Sequence, residues 1–270
     1  MPDTDPHASH AAGDRHLFGS SDRADSAGVP WEGRRFEHAP ASDDDGSADP
    51  ALLAALTGFA AGTHSAVDIV ESVRAARLLV PLLAHAGDIG ETPEGHVVDK
   101  TQELSIATVR APDGRAVLPA FTSVQTLAAW NPRARPVPAV GPRIALAAAG
   151  EQTELVVIDP TSPTEHVLRR PAVKALATGA EWTPPWAAPE VGDAFRRSAA
   201  SEPDVIEVRL ASADPGARLQ GPEVEVGVVL RPGLDADALH ALVGRLTAAW
   251  AASEVIAERV DSMALRLLAN

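Results

Sequence analysis

The chain has 270 residues, 45% of them apolar, no cysteine, no tyrosine and a formal net charge of −14. That length suffices for one large domain or two ordinary ones. The absence of cysteine excludes disulfides, thiolate catalysis and zinc–thiolate sites, and the acidic balance argues against nucleic acid, whose binding is driven by Lys and Arg displacing counterions. No run approaches the ~18 consecutive apolar residues of a membrane-spanning helix, so no membrane association is expected. The polar, acidic start lacks the basic opening and apolar run of a secretory signal, and the expected compartment is the cytoplasm. Aromatic residues make up only 4%, so the core must rest on Ala, Val and Leu with the few Phe and Trp as large fillers.

Residues 1–48 are rich in Asp, Ser, Gly, Ala and His and carry almost no aliphatic bulk. Such a segment buries too little apolar surface to offset roughly 1–2 kcal/mol of backbone entropy per residue, and it is expected to be a disordered acidic tail. Order is expected from Asp49-Pro50, an N-cap followed by Pro at the first helical position. Leu52, Leu53, Leu56 and Phe59 recur at helical spacing up to Gly62. Ser65 is placed to cap a second helix with Val67, Val70 and Val73 on its apolar side.

Arg77 to Leu83 reads as a buried strand that Pro81 confines to an edge or a bulge. Gly87 to Glu94 reads as a loop. The runs Gln102–Arg110 and Arg115–Ala120 read as strands joined by a turn at Pro112-Asp113-Gly114. Thr122-Ser123-Val124-Gln125 has the form of a capping box in which Thr122 caps and Gln125 reaches back. The helix that follows carries Leu127 and Trp130 and stops at Asn131-Pro132. Gly141-Pro142 opens a short helix closed by Gly150, Glu154 to Asp159 forms a strand, and Pro171 to Thr178 forms a helix ended by Gly179.

The segment 181–203 opens with Trp182, Pro184, Pro185, Trp186 and Pro189 and reads as an extended linker. A second domain is expected over 204–270. Ile206, Val208 and Leu210 alternate with Glu207 and Arg209, and Val224, Val226 and Val228 alternate with Glu223 and Glu225, the period of half-buried antiparallel strands. Asp235 or Asp237 then caps a helix with a stripe of Leu239, Leu242, Val243, Leu246 and Trp250. A final strand places Met263, Leu265 and Leu267 inward. The predicted fold is therefore α+β: a mixed α/β N-terminal domain over 49–180 followed by a small β-β-α-β C-terminal domain.

Signatures of chemistry are absent. There is no phosphate-cradling loop, no dinucleotide fingerprint, no H-E-x-x-H and no nucleophile elbow. Gly87-Asp88-Ile89-Gly90 reads as a turn, since nothing basic accompanies it. Asp43-Asp44-Asp45-Gly46 has the wrong register for a calcium loop, with Ala54 where a bidentate acid belongs, and reads as a solvated acidic run. His7, His10 and His16 lack the surrounding partners a functional metal site needs. His64 and His85 are tied to no Ser or acid by a recognisable motif. No catalytic residue, metal or cofactor is expected. The binding candidates are Phe121, Thr122, Ser123 and Trp130, where a helix start offers backbone N–H groups to an anion, and Trp182 and Trp186, aromatic residues of the kind interfaces favour.

These residues carry a likeness. Leu118-Pro119-Ala120-Phe121-Thr122-Ser123, followed by Leu127 and Trp130 and then by Leu155-Val156-Val157-Ile158-Asp159-Pro160, resembles the SseB N-terminal domain family (enhanced serine sensitivity protein B). The resemblance covers roughly residues 49 to 180, and the unit after 204 resembles the C-terminal domain that often accompanies it. It implies an α+β fold of bacterial origin and a link by name to serine metabolism, but no reaction and no site residues. The expected function is a non-enzymatic binding or regulatory protein that engages a protein partner or itself. The alternative is a sensor of an amino acid or related metabolite, with its site between the two domains.

Overall fold

Local chemistry sets the first two helices of the computed structural model, which describes residues 44–85, 89–91, 97–99 and 103–269. The Asp49 carboxylate accepts from the N–H groups of Ala51 and Leu52 and opens α1 (Pro50–Ala60). A reciprocal Ser65–Asp68 capping box opens α2 (Ala66–Ala75). The expected tail, apart from residues 44–48, and most of the loop expected over Gly87–Glu94 lie outside the described residues; Ile89 to Glu91 within that loop is a strand.

In chain order there follow β1 (Arg77–His85), β2 (Ile89–Glu91), β3 (Val97–Asp99), β4 (Glu103–Ile106), β5 (Val109–Arg110) and β6 (Ala116–Ala120). Next come α3 (Val124–Trp130), β7 (Arg135–Val140), α4 (Gly141–Gly150), β8 (Val156–Ile158), β9 (His166–Leu168) and α5 (Arg170–Thr178). The remainder is α6 (Pro189–Ser198), β10 (Val205–Ser212), β11 (Val224–Leu230), α7 (Ala236–Ala251), α8 (Glu254–Arg259) and β12 (Met263–Ala269). The expected α+β class is what forms. Sheets run β4-β1-β7, β5-β6-β8-β9, β10-β11-β12 and the pair β2-β3. Mutual hydrogen bonds between Leu79 and Phe121 stitch β1 to the end of β6.

Two expectations about strands are corrected. β1 is a central strand despite Pro81. Pro81 lies opposite Pro136 of β7, so two residues without N–H groups face each other. The Pro81 carbonyl accepts from Ala107, just past the last β4 pair, Leu82↔Ile106; the missing donor thus falls where the ladder runs out. The run from Gln102 to Arg110 is divided, β4 joining β1 and β5 joining β6.

The described residues from Gly46 onward form a single compact unit built on two principal apolar cores. The first draws α1, α2, α4 and α5 onto β1, β6 and β8 through residues such as Leu52, Ile69, Leu78, Leu118, Ile158 and Leu176. The second packs α6, α7 and α8 on the sheet of β10, β11 and β12 through Phe195, Val226, Leu242, Leu246, Trp250 and Ile256. The segment 181–203 thus contains a helix rather than only extended chain. Val191, Ala194 and Phe195 of α6 share one buried face, the i, i+3, i+4 pattern of an amphipathic helix.

In the last sheet β11 pairs antiparallel with β10, as expected, and parallel with β12, with α7 and α8 as the crossover. Three details differ from expectation. A register shift between Val205 and Glu207 turns Ile206 outward, 44% exposed, and brings Val205 inward beside Val208 and Leu210. Glu223, expected to face solvent, is buried at 3% exposure. Met263 and Leu267 share the inner face with Val224 and Val228 through their pairing, yet remain 37% and 40% exposed.

Candidate functional site

Where β9, α5 and the ends of β11 and β12 meet, the two cores are joined by buried polar side chains. β9 is short because three residues suffice to pair with β8, Ile158 lying opposite His166. The pairing drives His166 inward to 4% exposure, with its ring edge-on to Phe59 at a centroid separation of 4.8 Å. Burial pushes the His166 pKa down to about 4, against the upward pull of the Asp214 carboxylate. The imidazole is thus neutral at pH 7, and its Nδ1 is buried without a hydrogen-bond partner.

Three residues on, Arg169 precedes α5 and is 6% exposed. Its Nη2 donates to Asp214 Oδ2 and to the Gly221 carbonyl, each at 2.7 Å. Its Nη1 donates to Asp261 Oδ2 and Ser262 Oγ, each at 3.2 Å. Asp261 also takes a two-pronged bond from Arg115, at 2.9 and 3.1 Å. Desolvation works to raise the Asp261 pKa, but the Arg115 bond and the charges of Arg115 and Arg169 outweigh it and hold the carboxyl below its ordinary value. A planar guanidinium satisfied on both sides by carboxylates is how a buried cation is tolerated.

Glu223 completes the cluster. Its Oε2 accepts from the Asp261 N–H at 2.6 Å, while its own N–H donates to Ser262 Oγ at 3.0 Å. Burial raises its pKa to about 7, opposed by that backbone bond and by the charges of Arg169 and Arg170, and reinforced by the Asp261 charge.

A cavity of about 40 Å³ opens between these groups, lined by His166, Arg169, Asp214, Glu223, Trp182 and Trp186. Trp182 packs against the first core and Trp186 against the second. The indole Nε1 of Trp182 is buried and has no hydrogen-bond partner. Buried polar groups are otherwise almost always paired, and a cavity of this size, largely apolar with a few polar groups in its wall, admits a water molecule or a hydroxyl, amino or carbonyl group. The Trp182 indole can only donate, whereas His166 Nδ1 donates or accepts according to its tautomer. The cluster therefore matches a molecule that presents an acceptor beside a group of either kind.

The other sequence candidates lie together elsewhere, in the cluster of Leu79, Phe121, Leu127 and Ala134 with Trp130 against it. Phe121 is fully buried, 5.2 Å from the Trp130 ring. The helix start is shifted by one residue from expectation: Ser123 caps α3 and Thr126 reaches back. Thr122 instead gives its N–H and its hydroxyl to buried Asp159, at 2.8 and 2.7 Å. With the Ser123 N–H directed to Thr126 Oγ1, the donors at positions 122 and 123 are already engaged. Of the six candidates, the structure brings only Trp182 and Trp186 to the cavity.

His166, Arg169, Asp214, Glu223 and Asp261 were not singled out from the sequence as site residues. Glu223 stands in the sequence only as the polar partner in an alternating strand. Among the described residues, no three His, Cys, Asp or Glu side chains cluster in a way that would hold a metal ion. None of the described helices is long and apolar enough to cross a membrane. Comparison with protein families matches residues 51–175 to the SseB protein N-terminal domain. No curated protein and no solved structure matches.

Proposed function

The chain is a member of the SseB family through its N-terminal domain, residues 51–175, and from that premise we propose that it is a non-enzymatic binding protein that senses a small polar metabolite at the seam between its two cores. The observation that carries the reading is the pair of buried, unpartnered ring nitrogens, His166 Nδ1 and Trp182 Nε1, on residues that line one cavity. A ligand that pairs them satisfies two groups that no side chain or backbone group meets, and an unmet buried group costs about 1–3 kcal/mol. The acids around the cavity suit an amino group, and the indole donor suits a carboxylate, carbonyl or hydroxyl oxygen. A small amino acid carries both, and at about 40 Å³ the cavity takes one end of such a molecule, which is why that class heads the proposal. Docking of a protein partner through the aromatic candidates has less support, because Phe121 is fully buried and Trp182 and Trp186 are half-buried against the two cores.

The test is a thermal-shift screen of the purified chain against small amino acids, including serine, with hydroxy acids and nucleotides as further classes. A ligand at a hundredfold over its Kd adds about 2.7 kcal/mol, which is a rise of several degrees for a chain of this size. The expected result is a rise with small amino acids that Trp182→Phe and Glu223→Gln abolish and Ser123→Ala, in the other cluster, leaves intact. No rise with any compound, or a rise that survives both seam substitutions, overturns the reading.

A further inference from the structure

The edges of the sheets are not alike. A free strand edge offers unpaired N–H and C=O groups to any other strand, and folded proteins blunt it with proline, bulges or inward-facing charge. β7, an edge strand, carries Pro136 and Pro138. β10, the edge on one side of the last sheet, carries the register shift at Val205 and Glu207. β12, the edge on the other side, has neither device. Its register against β11 runs without interruption from Val224↔Met263 to Leu230↔Ala269. Its inner face presents Met263 and Leu267, 37% and 40% exposed, beside a groove of about 420 Å³ lined in part by Trp250, Ile256, Val260, Met263 and Leu265.

We propose that β12 pairs antiparallel with β12 of a second copy of this chain about a two-fold axis at Leu265, joining two three-stranded sheets into one of six strands. The residues of β12 select this partner and this register. About Leu265, position 263 of one copy faces position 267 of the other, so Met263 and Leu267 cover each other at both ends of the pairing. Arg266 then faces Ala264, not itself. On that outer face Arg266 already reaches Glu225 of its own chain at 3.3 Å. Because Glu225 neighbours Ala264 in register, the small Ala264 side chain lets the second copy's arginine approach the same glutamate. Two Glu225 and two Arg266 side chains thus alternate around the axis. A shift of the axis to residue 266 would set arginine opposite arginine, which is unfavourable in a cross-strand pair.

The experiment is multi-angle light scattering with sedimentation velocity on the full chain across a hundredfold range of concentration. The expected result is a species of about 56 kDa, twice the 28.0 kDa of one chain, that dissociates on dilution. Met263→Lys alone and Leu267→Glu alone each shift the dissociation at least tenfold towards monomer. The two together restore the dimer, because only the register about Leu265 sets one substituted position opposite the other. Both positions are more than a third exposed, and an unchanged melting profile confirms that each single variant folds. A monomer at every concentration overturns the proposal and leaves the edge to a strand of another protein. So does a dimer that ignores both single substitutions, or one that the double variant fails to restore.

Discussion

Glu223 and His166 are buried within one cluster and titrate in opposite senses. The Glu223 carboxyl is raised from an ordinary value of 4.5 to about 7, chiefly by desolvation. Its contribution to stability is therefore full below about pH 4.5 and is lost as pH rises through about 7. The His166 imidazole is lowered from 6.5 to about 4, also by desolvation. Its contribution is present above about pH 6.5 and is lost as pH falls towards 4. Each is worth on the order of 3 kcal/mol over its full range. Between about pH 4.5 and 6.5 the two offset each other. The charges that set the balance are Asp214 at His166, and Asp261, Arg169 and Arg170 at Glu223.

Glu223→Gln removes one side of the balance and keeps an oxygen for the Asp261 N–H. The variant is expected to be more stable than the parent at pH 8 and to lose stability from pH 7 to pH 5, where the parent changes little. Urea unfolding at several pH values measures this directly. Profiles that stay parallel across the range would show that Glu223 is not titrating in the fold. None of this was legible in the sequence, because a glutamate at the head of an alternating strand reads as solvent-facing. Its burial comes from contacts with residues near 261, some 38 positions away.

At the scale of elements, local signals were legible where the partners are close in sequence. The caps at Asp49, Ser65 and Asp235, the stops at Asn131 and Gly179, and the valine alternation of β11 all form as read. Thr122 and Ser123 show where that logic fails. Either hydroxyl could have capped α3. Thr122 is withdrawn by Asp159, 37 residues away, which leaves the cap to its neighbour. Thr122→Val should cost about 1–3 kcal/mol, the price of an unmet buried acceptor, and Ser123→Ala about 1 kcal/mol. Chemical denaturation that ranks the two in the reverse order would mean the Asp159 contact is not formed as described. α6 was hidden by the density of Trp and Pro before it, although Val191, Ala194 and Phe195 carry a helical pattern. β7 was hidden by its own prolines, and β9 by having only three residues.

At the scale of the molecule, the two cores are held together by charged groups as well as apolar area. Arg115 and Arg169 grip Asp261 at the start of β12, and Arg170 donates to the carbonyls of Ala257 and Val260 at the end of α8. Arg169 also reaches Asp214, and the cavity lined by His166 and Trp182, whose ring nitrogens are buried and unpaired, lies within this joint. A site between the two halves was an alternative raised by the sequence, but its residues were not. They come from four separated stretches that only the fold brings together. A ligand there would contact both cores at once, the arrangement through which binding can be reported to a partner or to a second copy.

The most direct measurement is a nitrogen–proton correlation spectrum of the indole groups, with the five tryptophans assigned by substitution, recorded on adding the strongest compound of the thermal screen. The expected result is that the Trp182 indole signal moves furthest and shifts downfield, as an unpaired N–H gains an acceptor, with a smaller change at Trp186 and little at Trp130. A ligand that stabilises the chain while leaving the Trp182 signal in place would rule out a site at the seam, because the buried donor there would not be what the ligand binds.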